Sequence, residues 1–160
     1  PFATPWSIDK MTNGSQEWCG NTFKEYLSTP KDFQLTYHSY WDNEGDGKKT
    51  IQKDVLFEDQ LNYTLRSLNF KNDLSFDVSV METQISSKVG KLKIYDAVIT
   101  VVDGSQTIKN TWKVNVKLDG DKENVYYFEK AYPNLLVKQN TWDHRNLTLL
   151  NTSRYAYWKN

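Results

Sequence analysis

The single cysteine of the sequence, Cys19, is its strongest potential nucleophile, and the two histidines, His38 and His144, are the candidate bases. A thiolate paired with an imidazole is the arrangement that thiol hydrolases use. No spacing in the sequence places either histidine beside Cys19, and a buried thiol next to an aromatic residue such as Trp18 is a common packing element. The sequence therefore predicts a protein that is not an enzyme, with a thiol hydrolase based on Cys19 and a histidine as an alternative.

Acidic residues alternate from Asp42 through Glu44 to Asp46, and Gly47 follows them. This spacing is typical of the first half of a calcium-binding loop, which also needs a bidentate carboxylate at its twelfth position. The sequence has Lys53 at that position, and an alternating, strand-like segment precedes the loop where an EF-hand has a helix. We therefore favour a solvated hairpin turn and expect neither a metal nor any other cofactor.

Aromatic residues are abundant, with six tryptophans, ten tyrosines and seven phenylalanines in 160 residues. Tryptophan rings stack on sugars and anchor protein interfaces. Trp41 and Trp112 fall on the apolar faces of alternating segments, which predicts that they belong to the core. The candidates for contact with a partner or ligand are Trp18, Trp142, Tyr155, Tyr157 and Trp158. A carbohydrate-binding module that uses Trp18 or Trp142 is a further alternative.

Charge and length exclude several classes of protein. Lysine plus arginine and aspartate plus glutamate number 20 each, so the net charge is zero, whereas nucleic-acid-binding proteins usually carry a basic excess. We therefore expect no nucleic-acid partner. No apolar run approaches the roughly 20 residues that a spanning helix needs, so membrane association would require an anchor that this chain does not contain.

Alternation of apolar and polar residues dominates the sequence and predicts antiparallel strands with one buried face. Between Leu74 and Leu118 apolar side chains recur at every second position. Asp-Gly pairs between such runs are strong hairpin signals. The predicted strands cover residues 6–11, 15–23, 33–41, 74–84, 91–102, 106–118, 124–132, 134–142 and 147–157.

One segment, residues 54–69, has a helical period instead. Phe57, Leu61, Leu65 and Leu68 recur at spacings of four, four and three, which favours an amphipathic helix. We therefore predict a mainly β fold, either a curved antiparallel meander sheet or an open barrel. The helix lies against this sheet, and residues 1–160 form a single domain.

Three stretches carry a resemblance to a known family: Ser15-Gln16-Glu17-Trp18-Cys19-Gly20 with Thr22-Phe23, then Ser39 to Asp46, and finally Arg154 to Asn160. In this order they resemble an uncharacterised envelope family of the Bacteroidota whose members are often labelled "septum formation inhibitor Maf". True Maf proteins are nucleotide pyrophosphatases with a Ser- and Arg-rich phosphate-binding start. This sequence lacks that start, so their activity does not transfer.

The resemblance implies an exported protein at the periplasm or outer membrane of a Gram-negative bacterium, often a lipoprotein. It also implies either a divergent short member or the C-terminal part of a longer exported protein. The expected role is non-enzymatic: docking within an outer-membrane protein assembly, with other outer-membrane or periplasmic proteins as partners, or binding of an apolar ligand.

Overall fold

Strands account for most of the chain in the computed structural model, which describes residue 2, residues 8–156 and residue 158. The strands are β1 (Lys10–Glu17), β2 (Gly20–Ser28), β3 (Asp32–Ser39), β4 (Asp46–Gln52), β5 (Leu56–Phe57), β6 (Leu74–Met81), β7 (Ile94–Asp103), β8 (Thr111–Asp119), β9 (Lys122–Glu129), β10 (Leu136–Asn140) and β11 (Leu147–Thr148). The predicted fold class, mainly β with a curved antiparallel sheet and one short helical element, is confirmed. No helix among the described residues is long and apolar enough to cross a membrane.

The first sheet is a four-stranded antiparallel meander in the order β1-β2-β3-β4. Its alternating side chains place Tyr26, Phe33, Leu35 and Ile51 on a buried face, each at most 3% exposed. The neighbouring positions along each strand point to solvent, because successive side chains on a strand face opposite sides.

The second sheet has seven strands in the order β11-β10-β9-β8-β7-β6-β5. Its neighbours pair antiparallel except β5 and β6, which pair in parallel. The interior strand β7 buries Ala97, Ile99 and Val101 completely. The alternation that the sequence shows between Leu74 and Leu118 therefore marks the inner face of this sheet.

Two apolar clusters hold the fold together. The larger cluster packs Leu61, Leu65 and Leu68 of the helical segment against the inner face of the seven-stranded sheet. The smaller cluster packs the four-stranded sheet against the chain around β5, where the ring of Phe57 contacts the rings of Tyr26 and Phe33. Phe57 thus joins a different core from the leucines that follow it.

The predicted helix over residues 54–69 is too long. The structure has β5 first, then a 3-10 turn (Glu58–Gln60), one α-helical turn α1 (Leu61–Thr64) and a second 3-10 turn (Leu65–Ser67). Strand β4 was not predicted, because Ile51 is its only buried residue and an edge strand of this kind lacks an apolar repeat. The predicted strand over residues 6–11 begins only at Lys10, and its first two residues lie outside the described part of the chain.

Candidate docking site at the hairpin tip

The hairpin tip is the turn between β1 and β2, formed by Glu17, Trp18, Cys19 and Gly20. The indole of Trp18 is fully exposed, at 106% of its reference area, and the thiol of Cys19 is also exposed. An indole exposed to this degree presents a large apolar surface to solvent at the end of a two-stranded hairpin. Of the four aromatic candidates in the described part of the chain, Trp18 therefore has the geometry of a contact residue most clearly.

The tip is held rigidly by Tyr40, which follows β3. A Cβ atom at Gly20 would lie 2.6 Å from Cγ of Tyr40, so only glycine allows this ring to pack against the turn. The Tyr40 hydroxyl donates a 2.5 Å hydrogen bond to Oε2 of Glu17. This bond raises the pKa of Tyr40 to about 12 and lowers the pKa of Glu17 below its usual value.

A second turn, between β3 and β4, supports the first and contains Glu44. Its carboxylate accepts hydrogen bonds from the Ser39 hydroxyl at 2.6 Å and from the backbone amides of Val89 and Gly90, each at 3.0 Å. Burial alone would raise the pKa of Glu44, but these donors outweigh it and the pKa is lowered. The β6–β7 loop, residues 82–93, is thereby fastened to the β3–β4 turn.

Aromatic and cationic groups complete this support. The rings of Tyr40 and Trp41 lie 5.0 Å apart, and Nζ of Lys88 lies 4.3 Å from the centre of the Trp41 ring. Trp41 is half-buried in this turn and does not join either apolar cluster, so its predicted place in the core is wrong. Two sequence stretches some twenty residues apart, both part of the resemblance described above, thus form one structural unit.

The acidic residues of the calcium-like pattern lie in and beside the β3–β4 turn and point in different directions. Glu44 faces the amides of the β6–β7 loop, whereas Oδ1 of Asp46 lies 3.1 Å from Nδ1 of His38 on the outer face of the sheet. Asp42 is exposed in the turn. Throughout the part of the chain that the structure describes, no group of three or more His, Cys, Asp or Glu side chains is placed to hold a metal ion.

The thiol and the two imidazoles lie on different elements. Cys19 is at the hairpin tip, His38 is on β3 with its ring beside Asp46, and His144 lies in the turn between β10 and β11 on the other sheet. His144 is therefore on a different sheet from the thiol, and the imidazole of His38 already has an acidic partner.

The other aromatic candidates have different surroundings. Trp142 is half-buried against the larger cluster, and Nζ of Lys122 lies 3.8 Å from its ring centre. Tyr155 and Trp158 are each 69% exposed, and Tyr157 lies outside the described residues. Trp18 and Trp142 belong to different sheets, so the structure does not join them into one surface.

Sequence reasoning missed a buried polar network among the loops and strands of the seven-stranded sheet. The Glu58 carboxylate, whose side chain is fully buried, accepts hydrogen bonds from Asn124 at 2.8 Å and from Arg145 at 2.9 Å. Burial raises the pKa of Glu58, although these donors oppose the rise. The network is completed by Asp59, which accepts hydrogen bonds from the Thr83 hydroxyl and the Gln84 amide.

Lys24 is the least expected member of the core. It is 1% exposed and donates to the backbone carbonyls of Gln84 at 2.7 Å and Lys88 at 3.1 Å. Burial lowers its pKa. Lys24 alternates along β2 with Thr22 and Tyr26, whose side chains point inward, so its own side chain points inward as well. This alternation is the one sequence signal that could have identified it.

An apolar cavity of about 360 Å³ lies between the two sheets. Phe33, Val55 and Val78 line it together with the polar groups of Lys53 and Gln60. The Lys53 ammonium already donates to the Ser28 hydroxyl and the Thr29 carbonyl. The charged groups at the cavity wall are therefore Lys53, which is already engaged, and the exposed Asp54.

No family model, no curated protein and no solved structure matches this chain.

Proposed function

We propose that this protein is a non-enzymatic domain of a Gram-negative cell envelope that docks onto an outer-membrane or periplasmic protein through its hairpin tip. The observation that carries this proposal is the complete exposure of Trp18 on a turn whose backbone is fixed by Gly20 and Tyr40. Because the backbone of the turn is already fixed, binding through Trp18 costs little backbone freedom, which favours affinity.

Docking is favoured over the binding of an apolar ligand. Leu61, Leu65 and Leu68 pack against the inner face of the seven-stranded sheet, so the apolar surface that remains for a ligand is the cavity beside Val78. Carbohydrate binding through Trp18 is also less favoured. Sugar sites combine a ring with several fixed polar groups, but Glu17 beside Trp18 already accepts the Tyr40 hydrogen bond.

The decisive experiment is affinity capture from detergent-solubilised envelope fractions with immobilised wild-type protein, Trp18→Ala and Leu150→Ala. Leu150 is 93% exposed and serves as the matched control for loss of an exposed apolar side chain. We expect wild type and Leu150→Ala to retain the same proteins. Trp18→Ala should retain them about tenfold more weakly, the usual loss for an interface anchor worth about 1.4 kcal/mol or more. Equal retention by all three proteins, or recovery without any partner, would refute docking through the tip.

A further inference from the structure

Within the described part of the chain, the outer edge of β1 has backbone groups without a strand partner at alternate positions. Among the described residues β1 pairs only with β2. The amide of Ser28 donates to the carbonyl of Asp9, and the register continues without a shift to Glu17. In an antiparallel ladder the intervening residues turn their N–H and C=O groups away from the neighbour, so Lys10, Thr12, Gly14 and Gln16 direct theirs outward.

This edge lacks the usual protection against a further strand. Natural edge strands are blunted by lysines, prolines or bulges. In β1 the only lysine is Lys10, at its first position. On the opposite edge of the same sheet, β4 carries Lys48 and Lys49 in its middle. The β1 edge of this sheet is therefore less protected than the β4 edge against pairing with a further strand.

Gly14, in the middle of β1, is not required to be glycine by any contact with the residues that the structure describes. A Cβ atom there would meet nothing within 4 Å, and glycine inside a strand weakens it. Its cross-strand partner is Phe23, whose ring is 42% exposed. Gly14, Phe23 and their neighbours line an open groove of about 360 Å³ at the edge of the sheet.

We propose that an extended segment of the partner protein adds to the free edge of β1 as a fifth strand, with a large apolar side chain placed over Gly14 against Phe23. The outward N–H and C=O groups of β1 match the hydrogen-bonding pattern of an extended backbone, and the groove favours an apolar residue at one position. Lys10 pairs with Glu25 but stays 56% exposed, and Glu17 is exposed beside the Tyr40 hydroxyl. An acidic residue opposite Lys10 and a basic residue opposite Glu17 would therefore give each charge a second partner. This pairing rests on the docking role proposed above and extends the contact from the tip along β1.

The probe is a capped eight-residue peptide that begins with Lys, ends with Glu, carries Phe at its fourth position and has Thr or Val elsewhere. Antiparallel pairing then places its Lys opposite Glu17 and its Phe opposite Gly14.

In NMR titrations we expect peptide-dependent shifts along β1 and slower hydrogen exchange of the outward amides of Thr12, Gly14 and Gln16. N-methylation at the fourth and sixth peptide positions, whose amides face β1, should weaken binding at least about tenfold. N-methylation at the third and fifth positions leaves the amides that face β1 free to pair, so it should not weaken binding in this way.

Two protein variants complete the test. Thr12→Pro removes an outward amide of β1, and Thr50→Pro is its matched control, since Thr50 occupies the equivalent outward position on β4. Only Thr12→Pro should abolish peptide binding. Gly14→Val fills the groove at a position with free space, so it should preserve or raise stability while weakening peptide binding about tenfold.

Loss of binding in Thr50→Pro as well as Thr12→Pro, or equal binding of both N-methylated peptides, would overturn strand addition. If the peptide does not bind but Trp18-dependent capture persists, strand addition fails and docking through the tip stands. If the peptide binds with the expected pattern and capture fails, strand addition is supported and the proposed docking function is refuted.

Discussion

At the scale of single residues, Lys24 shows how a buried charge can organise a loop. Its ammonium group lies on the inner face of the four-stranded sheet and binds two carbonyl oxygens of the β6–β7 loop, those of Gln84 and Lys88. The loss of hydration makes a buried ammonium costly, and hydrogen bonds offset only part of that cost. Tyr26 adds a second tie, because its hydroxyl donates a 2.6 Å hydrogen bond to Oε1 of Gln84.

Lys24→Met tests whether these bonds outweigh the cost of burial. Methionine retains most of the volume but leaves the two carbonyls without their donor, so we expect the free energy of unfolding to fall by about 1–3 kcal/mol. Lys10→Met is the control, since Lys10 forms a surface ion pair with Glu25 and should change stability by less than about 1 kcal/mol. Urea unfolding measures both variants. A Lys24→Met protein as stable as wild type would mean that desolvation cancels the bonds.

Trp112 and Trp18 are expected to behave in opposite ways. Trp112 is half-buried against the larger cluster, with its ring stacked 6.1 Å from Phe70, so Trp112→Ala should cost about 3 kcal/mol of stability, at the low end for a core tryptophan. Trp18→Ala should change stability by less than about 0.5 kcal/mol, because its side chain is fully exposed. Thermal and urea unfolding of the two variants provide the measurement. A stable Trp112→Ala protein would contradict the assignment of this residue to the core.

At the scale of the elements, strong alternation was enough to predict most strands. The helical spacing of apolar residues, however, gave a wrong prediction for the first residues of the segment 54–69. Phe57, Leu61 and Leu65 have helical spacing, yet Phe57 lies on β5 and packs against Tyr26 of the other sheet. A stripe of apolar residues does not reveal that its members belong to two different cores. The short parallel pairing of β5 with β6 therefore could not be predicted from periodicity.

The hairpin tip depends on contacts between elements that the sequence could not place together. Tyr40 packs on Gly20, and Glu44 binds the amides of Val89 and Gly90, 45 and 46 residues further along the chain. The sequence identified Trp18 as a candidate by its residue type alone. Its exposure and rigid support follow from the register of three strands and the path of one loop, and no local pattern contains that information.

Glu44→Gln should reduce the acid sensitivity of the fold. The pKa of Glu44 is lowered in the folded protein relative to its usual 4.5, so its contribution is fully present above that pH and is lost as the pH falls through the folded pKa. Glu44→Gln should be less stable than wild type at neutral pH, with a difference that shrinks below about pH 4.5. Urea unfolding at a series of pH values measures this convergence. Parallel stability curves for the two proteins would contradict it.

At the scale of the whole molecule, a buried polar network connects distant parts of the seven-stranded sheet. Glu58 follows β5, and its carboxylate binds the Thr83 amide of the β6–β7 loop, Asn124 of β9 and Arg145 of the β10–β11 turn. Arg145 is 87 residues away from Glu58 in the sequence. A pairing over this distance depends on the complete topology of the sheet, so single-sequence reasoning could not predict the network.

Arg145→Met should destabilise the whole fold in a pH-dependent way. Arg145 donates to Glu58 at 2.9 Å and to Asp143 at 2.6 Å, so its removal leaves buried carboxylates without a counter-charge and should cost about 3–5 kcal/mol near pH 7. The pKa of Glu58 is already raised by burial. Loss of Arg145 raises it further, so the folded state then favours the protonated acid.

The sign of the pH dependence follows from that raised pKa. An acid whose folded pKa exceeds its unfolded value costs no stability at low pH, and the cost grows as the pH rises from the unfolded towards the folded pKa. The difference in stability between wild type and Arg145→Met should therefore be larger at pH 8 than at about pH 5.

The second substitution Glu58→Gln should recover part of the loss in the Arg145→Met protein at pH 8, because it removes the unpaired charge. Arg154→Met is the control, since Arg154 is exposed near the C-terminus, and urea unfolding followed by tryptophan fluorescence measures all four proteins. A loss in Arg145→Met that does not change with pH would show that Arg145 stabilises the fold by packing and not by balancing the charge of Glu58.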